Sequence, residues 1–94
     1  MKTFLIERQI PAMGKKTPAE LKAISQASCN VLDEIGPSIN WIQSYVTEDK
    51  LYCLYNAENE ELIRTHGKKG GFPVNQIMEV PSIISPATAD LLLA

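Results

Sequence analysis

The chain has 94 residues, 45% of them hydrophobic and 21% charged, with a net charge of −2. That length makes a single domain with a modest core, of the kind often stabilised by a second subunit. The charge balance provides no field for gathering phosphates, which argues against a nucleic-acid partner, and no apolar run nears the ~20 residues of a membrane span.

The opening "MKTFLIERQIP" has a short apolar run that Glu7 and Arg8 interrupt. It is too short for a secretory core and reads as a first strand over 3–9. A cytoplasmic protein is expected, with Cys29 and Cys53 reduced rather than bridged. "TPAELKAISQASCNVLDEIGP" follows. Thr17 caps a helix, Pro18 takes its first position and Glu20 completes a capping box. Leu21, Ile24, Ser28, Val31, Leu32 and Ile35 form its buried stripe, and Gly36 with Pro37 stops it.

"INWIQSYVTEDKLYCLYNA" predicts a hairpin with strands near 39–47 and 50–56. "NEELIRTHGKKGGFP" predicts a second helix, capped by Asn59, with Glu60 and Glu61 at its positive end. "NQIMEVPSI" predicts a last strand that Pro81 ends or edges. The tail 85–94 can start a short helix at Ser85–Pro86, but its three leucines need cover. The order β-α-β-β-α-β gives an α+β, ferredoxin-like fold, with an antiparallel four-stranded sheet and both helices on one face.

The glycines of "RTHGKKGGFP" follow a helix and precede a strand, the wrong polarity for a phosphate loop. "MGKKT" fails too, because Gln9 stands where the first glycine belongs and no Ser or Thr follows the Gly-Lys pair directly. Instead, Gly71 suits the left-handed residue that ends a helix, Phe72 folds back on the last turn and Pro73 prevents continuation. Lys68 and Lys69 meet the negative end of the dipole. His66, the chain's one histidine, falls on the apolar stripe with Leu62 and Ile63 and should point inward. It is either a buried neutral imidazole held by a hydrogen bond or a ligand and proton-transfer group.

Strand alternation sorts the rest into two faces. Phe4, Ile6, Ile42, Val46, Tyr52, Leu54, Met78 and Val80 are expected under the helices. Leu5, Glu7, Trp41, Gln43, Tyr45, Cys53, Tyr55, Ile77 and Glu79 are expected on the open face, a register that requires an odd loop or a bulge in the hairpin. Such an aromatic face implies a two-fold homodimer that encloses a polar-lined cavity. Glu7 and Glu79 are candidate neighbours there, able to share a proton or bind a cation, or else solvated carboxylates paired with Arg8 or Lys50. Cys53 is a candidate thiol or a small core residue. Trp41, Tyr45 and Tyr55 are packing or interface residues, or walls of the cavity.

"FLIERQIP", "WIQSYVTEDKLYCLYNA" and "EELIRTHGKKGGFPVNQIMEV", taken in that order, resemble the small bacterial nickel-responsive or nickel-binding proteins, up to about Val80. The resemblance implies a ferredoxin-like fold paired as a dimeric α/β barrel, and Ni²⁺ binding. The matching positions are Glu7, Ser44, Tyr45, Cys53, Tyr55 and His66; with Trp41, Gln43 and Glu79 they make up the candidate set, in which His66, Glu7, Cys53 and Glu79 would meet the metal and Trp41, Gln43, Ser44, Tyr45 and Tyr55 would line the cavity. No His-x-His or Cys-x-x-Cys pair occurs, so a dimer's two histidines would support an oxygen-rich, partly hydrated octahedral site. Three functions compete: a non-enzymatic nickel-binding or nickel-responsive protein, a cofactor-free small-molecule enzyme resembling dimeric-barrel monooxygenases or isomerases, and a dimerisation module without ligand.

Overall fold

A computed structural model describes residues 1–93. In chain order it contains β1 (Lys2–Gln9), a 3₁₀ turn (Met13–Lys15), α1 (Pro18–Ile35), β2 (Ile39–Val46), β3 (Lys50–Ala57), α2 (Glu60–Gly70), β4 (Gln76–Glu79) and a second 3₁₀ turn (Pro86–Asp90). The four strands form one antiparallel sheet in the order β2-β3-β1-β4, with α1 and α2 on one face. This is the expected ferredoxin-like arrangement. The sheet of one chain is open rather than a closed barrel.

The helix ends follow their local chemistry. Thr17 Oγ1 accepts from Glu20 N at 3.2 Å while Glu20 Oε1 accepts from Thr17 N at 2.9 Å. This satisfies two donors that the first turn of α1 would otherwise leave bare. Asn59 Oδ1 accepts from Leu62 N at the start of α2. Gly36 and Gly71 end the two helices with φ of 99° and 70°. No heavy atom lies within 4 Å of a Cβ built on Gly71, so any cost of substitution there is conformational. Gly71→Val is expected to destabilise the fold by about 1 kcal/mol or more, since a β-branched residue fits that region poorly. The shift of the urea midpoint at unchanged slope measures it.

The sheet register corrects the expected faces. β1 is central, and its Phe4, Ile6 and Arg8 are all buried against the helices. Cross-strand partners share a face, so Tyr55, Cys53 and Leu51 of β3 and Ile77 and Glu79 of β4 join them. In β2, Trp41 pairs with Tyr55 but Gln43 pairs with Leu54, with Ile42 looped out between them as a bulge. The bulge puts Trp41 and Ser44 on the helix side and Gln43 and Tyr45 on the open side. Trp41, Cys53, Tyr55, Ile77 and Glu79 therefore lie opposite to the expected face, and so do Tyr52, Leu54 and Met78. Ile42 is exposed rather than core. Apolar residues occur at both parities of β3, so alternation alone could not choose between its faces.

The core is Phe4, Ile6, Met13, Ile39, Leu51, Cys53, Tyr55, Ala57 and Ile63. α2 contributes Ile63, His66 and Gly67 to the interior. α1 is different: of its 18 residues only Ser28 is buried, while Leu21, Ile24, Leu32 and Ile35 are half-buried. The long helix stands slightly off the sheet, and space remains beneath it. Among the described residues no helix is long and apolar enough to cross a membrane. Ala94, the last residue of the tail 85–94, lies outside the described residues.

Candidate functional site

Beneath α1 is a small interior cavity of about 20 Å³, walled by Arg8, Ser28, Cys53, Tyr55, His66 and Phe72 among others. Four elements and a loop supply these groups, with α2 bringing His66. β1 brings Arg8 because that residue continues the inward parity of Phe4 and Ile6. β3 brings Cys53 and Tyr55, α1 brings Ser28, and the turn after Gly71 folds Phe72 back. Phe72 N donates to Gly67 O at 2.8 Å, and the Phe72 ring lies over Gly70 and packs against His66 with centroids 5.4 Å apart and planes at 25°. Gly67 has to be glycine for this closure, since a Cβ there would sit 2.7 Å from Val74 Cγ2 and 3.1 Å from Phe72 O.

His66 and Arg8 are each only 1% exposed. His66 Nε2 lies 3.1 Å from Ser28 Oγ, and its ring tilts against Tyr55 at 5.4 Å. Burial, and then the Arg8 charge, push the His66 pKa down to about 4, with a contact to Ser28 pulling weakly the other way. The imidazole is therefore neutral at physiological pH. Arg8 Nη1 donates to Pro73 O at 2.9 Å, and its guanidinium carbon stands 5.5 Å from the centre of the Phe72 ring. Burial and the neighbouring Cys53 raise the pKa of Tyr55, against the opposing pull of Arg8 and Ser28. Among the described residues, two buried side-chain polar atoms have no partner: Arg8 Nη2 and His66 Nδ1.

The candidate residues divide between separate places. His66, Cys53, Tyr55, Trp41 and Ser44 meet at the interior cavity, where the Trp41 indole donates to Ser44 Oγ at 2.9 Å. Glu7, Gln43 and Tyr45 lie on the open face. Glu7 Oε1 accepts from Lys50 Nζ at 3.4 Å and from Tyr52 OH at 3.3 Å. Its ionic partner is thus Lys50, and Arg8 is turned inward. Glu79 is opposite Phe4 whereas Glu7 is opposite Gln76, so the two carboxylates lie on different faces, and Glu79 pairs with Lys2 at 3.6 Å instead.

The proposed metal donors His66, Glu7, Cys53 and Glu79 do not converge. Among the described residues there is no group of three or more His, Cys, Asp or Glu side chains able to hold a metal. The two donors that do share a cavity share it with a guanidinium, which repels a dication. One chain's residues therefore do not fit a closed nickel site.

A family model described as nickel responsive protein SCO4226-like matches residues 4–80. The chain belongs to the SCO4226-like family. Among solved structures, the crystal structure of SCO4226 from Streptomyces coelicolor A3(2) is similar to it, with a TM-score of 0.71 and 22% identity over 87% of this chain and 99% of that one. At that identity the likeness supports the shared fold. Among curated proteins none matches. Arg8 is the functional candidate that sequence reasoning missed in this SCO4226-like chain. Its signal was its parity: two residues after Ile6 and four after Phe4, it belongs to the covered face of the strand.

Proposed function

We propose that this chain is a non-enzymatic, nickel-responsive protein acting as a two-fold homodimer in which the open sheet faces meet. The nickel response comes from the family. The dimer rests on the open face, where Leu5, Leu54, Met78, Tyr45 and Tyr52 share the sheet surface with Glu7. The tail adds further apolar surface, with Ile84 80% and Leu92 98% exposed, and a second copy is the surface that would cover both. One observation carries the reading: Glu7 is a hard oxygen donor on an open sheet face that it shares with Leu5, Leu54 and Met78 as well as with Lys50 and Gln76, and a two-fold axis passing beside it would bring a second Glu7 close. Lys50 competes for the same carboxylate, so metal binding there is weak.

Calorimetric titration with Ni²⁺, with Zn²⁺ and Co²⁺ as controls, tests this. Saturable nickel binding near one ion per two chains is expected, with a rise in melting temperature from preferential binding to the folded state. Glu7→Gln should abolish both. Absence of a nickel response, or a monomer by light scattering at micromolar concentration, overturns the reading.

The cofactor-free enzyme finds support in one feature, the strongly shifted His66. With a pKa of about 4 that imidazole is too weak a base for proton transfer at neutral pH. It is better suited to giving or accepting a hydrogen bond.

A further inference from the structure

Residues 81–93 lie beyond the 4–80 matched by the family model, and they are the most exposed apolar part of the chain. Ile83, Ile84, Leu91, Leu92 and Leu93 are between 62% and 98% exposed. The segment is nonetheless ordered by its own hydrogen bonds. Thr88 N donates to Ser85 O and Ser85 N to Thr88 Oγ1, each at 2.9 Å, and Leu91 N donates to Thr88 O at 3.3 Å. They close the 3₁₀ turn at Pro86–Asp90 and set the leucines directly after it. Among the described residues the last hydrogen bond from this end of the chain to the sheet is Val80 N to Thr3 O, at 2.8 Å. Clustered exposed aliphatic residues mark a contact surface. The segment carries Asp90 and no basic residue, so an anionic lipid surface has nothing on it to attract.

A complementary opening lies at the far edge of the sheet. A cleft of about 470 Å³ separates the last turns of α1 from the first residues of β2, with Leu32, Pro37, Ile39 and Trp41 among its walls. β2 is an edge strand, so no strand of the same chain continues the sheet past this cleft. The two features also sit at one end of the sheet. Val80 leaves β4 beside Thr3, while Ile39 pairs with Ala57 and Ala57 with Lys2. When two open faces meet about a two-fold axis that runs along the strands, the order β2-β3-β1-β4 sets β4 of one copy opposite β2 of the other. Facing sheets lie about 10 Å apart, and residues 81–84, when extended, reach about 13 Å. A partner's tail is thereby delivered to the mouth of the cleft. Within its own chain the tail starts at the opposite edge of the sheet, about 14 Å of strand spacings away.

We propose that the tail of each chain crosses to a second copy and seats Leu91, Leu92 and Leu93 in the cleft between α1 and β2, an exchange that rests on the open-face dimer described above. The seat covers the leucines and closes the side of α1 that stands off the sheet. It also shields the half-buried Trp41 from water. Because the exchange is reciprocal, both tails and both clefts are used, and no sticky surface is left to recruit a third copy.

Two measurements on the purified protein test this. Cys29 is exposed and lines the cleft, so Leu92→Cys puts a second thiol within its reach. With oxidised glutathione, a disulfide-linked dimer is expected on a non-reducing gel, and adding Cys29→Ala should remove it. A disulfide within one chain, no disulfide, or a linked dimer that survives Cys29→Ala overturns the proposal. Leu92→Asp combined with Leu93→Asp changes residues that are 98% and 89% exposed in the single chain, so the fold should be kept. By sedimentation this variant should dimerise at least about a hundredfold more weakly, since four leucines per dimer lose their burial. The emission of Trp41, the chain's one tryptophan, should shift to the red. A dimer of unchanged strength with unshifted emission overturns the tail seat and leaves the open-face dimer standing, whereas a wild-type monomer overturns both.

Discussion

Lowering the pH from about 6.5 to 4 should cost the fold up to about 3 kcal/mol through His66 alone. The imidazole pKa is 6.5 in an open chain and about 4 in the folded protein. Between those values the unfolded state binds a proton that the folded state refuses, so stability falls as the solution is acidified. The contribution is fully present above about pH 6.5, is lost progressively toward pH 4 and does not change below that. A tenfold difference in proton affinity between the two states is worth about 1.36 kcal/mol. Urea unfolding of wild type and His66→Phe at matched pH values isolates the effect, since the two proteins differ in no other ionisable group. The variant keeps a ring against Tyr55 and Phe72 but has nothing to protonate, so its curve should be flatter by that amount over this window. Parallel curves would show that His66 takes up its proton in the folded state. The low pKa also sets the pH at which this side chain changes its binding properties: an imidazole with its ordinary pKa changes near pH 6, while this one, with a pKa of about 4, stays neutral well below that.

Much of the fold was legible because helix ends are local events. Thr17, Pro18 and Glu20 announce the start of α1 within four residues, and Gly71, Phe72 and Pro73 announce the end of α2 in three. Strand order followed from the alternation of elements. The inward placement of His66 followed from its spacing to Leu62 and Ile63. The site was harder because it depends on register, which is long-range. A single bulge residue, Ile42, reverses the faces of β2 midway and separates Trp41 from Gln43. β3 has Leu51, Cys53 and Tyr55 at one parity and Tyr52 and Leu54 at the other, so hydrophobicity did not tell its faces apart. Arg8 was hidden by its type. A strand-end arginine is usually solvated, and its burial follows only once β1 is known to be the central strand under both helices. Ser28 was on the predicted stripe of α1, but nothing in the sequence showed that it would meet His66, 38 residues away.

Arg8 supplies the second large effect, and two substitutions there should behave very differently. Arg8→Ala removes the donor to Pro73 O, the cation beside Phe72 and a long stem from a site that is 1% exposed. A void and a stranded carbonyl remain, and a loss of about 3 kcal/mol is expected. Arg8→Met keeps most of the volume and the apolar stem while removing the buried charge. Replacing a buried ionic group by a packed apolar one is often neutral or favourable, so this variant should stay within about 1 kcal/mol of wild type in ligand-free buffer. The midpoint of urea unfolding at constant slope gives both values. The two groups are also coupled, because the Arg8 charge is the second cause of the depressed His66 pKa, after burial. In Arg8→Met the imidazole should therefore titrate at a higher pH, visible by NMR, and the acid-sensitive window should narrow from its lower end. If Arg8→Met were as damaging as Arg8→Ala and left the His66 titration unchanged, the guanidinium would be compensated in the folded protein, and the low His66 pKa would owe nothing to its charge.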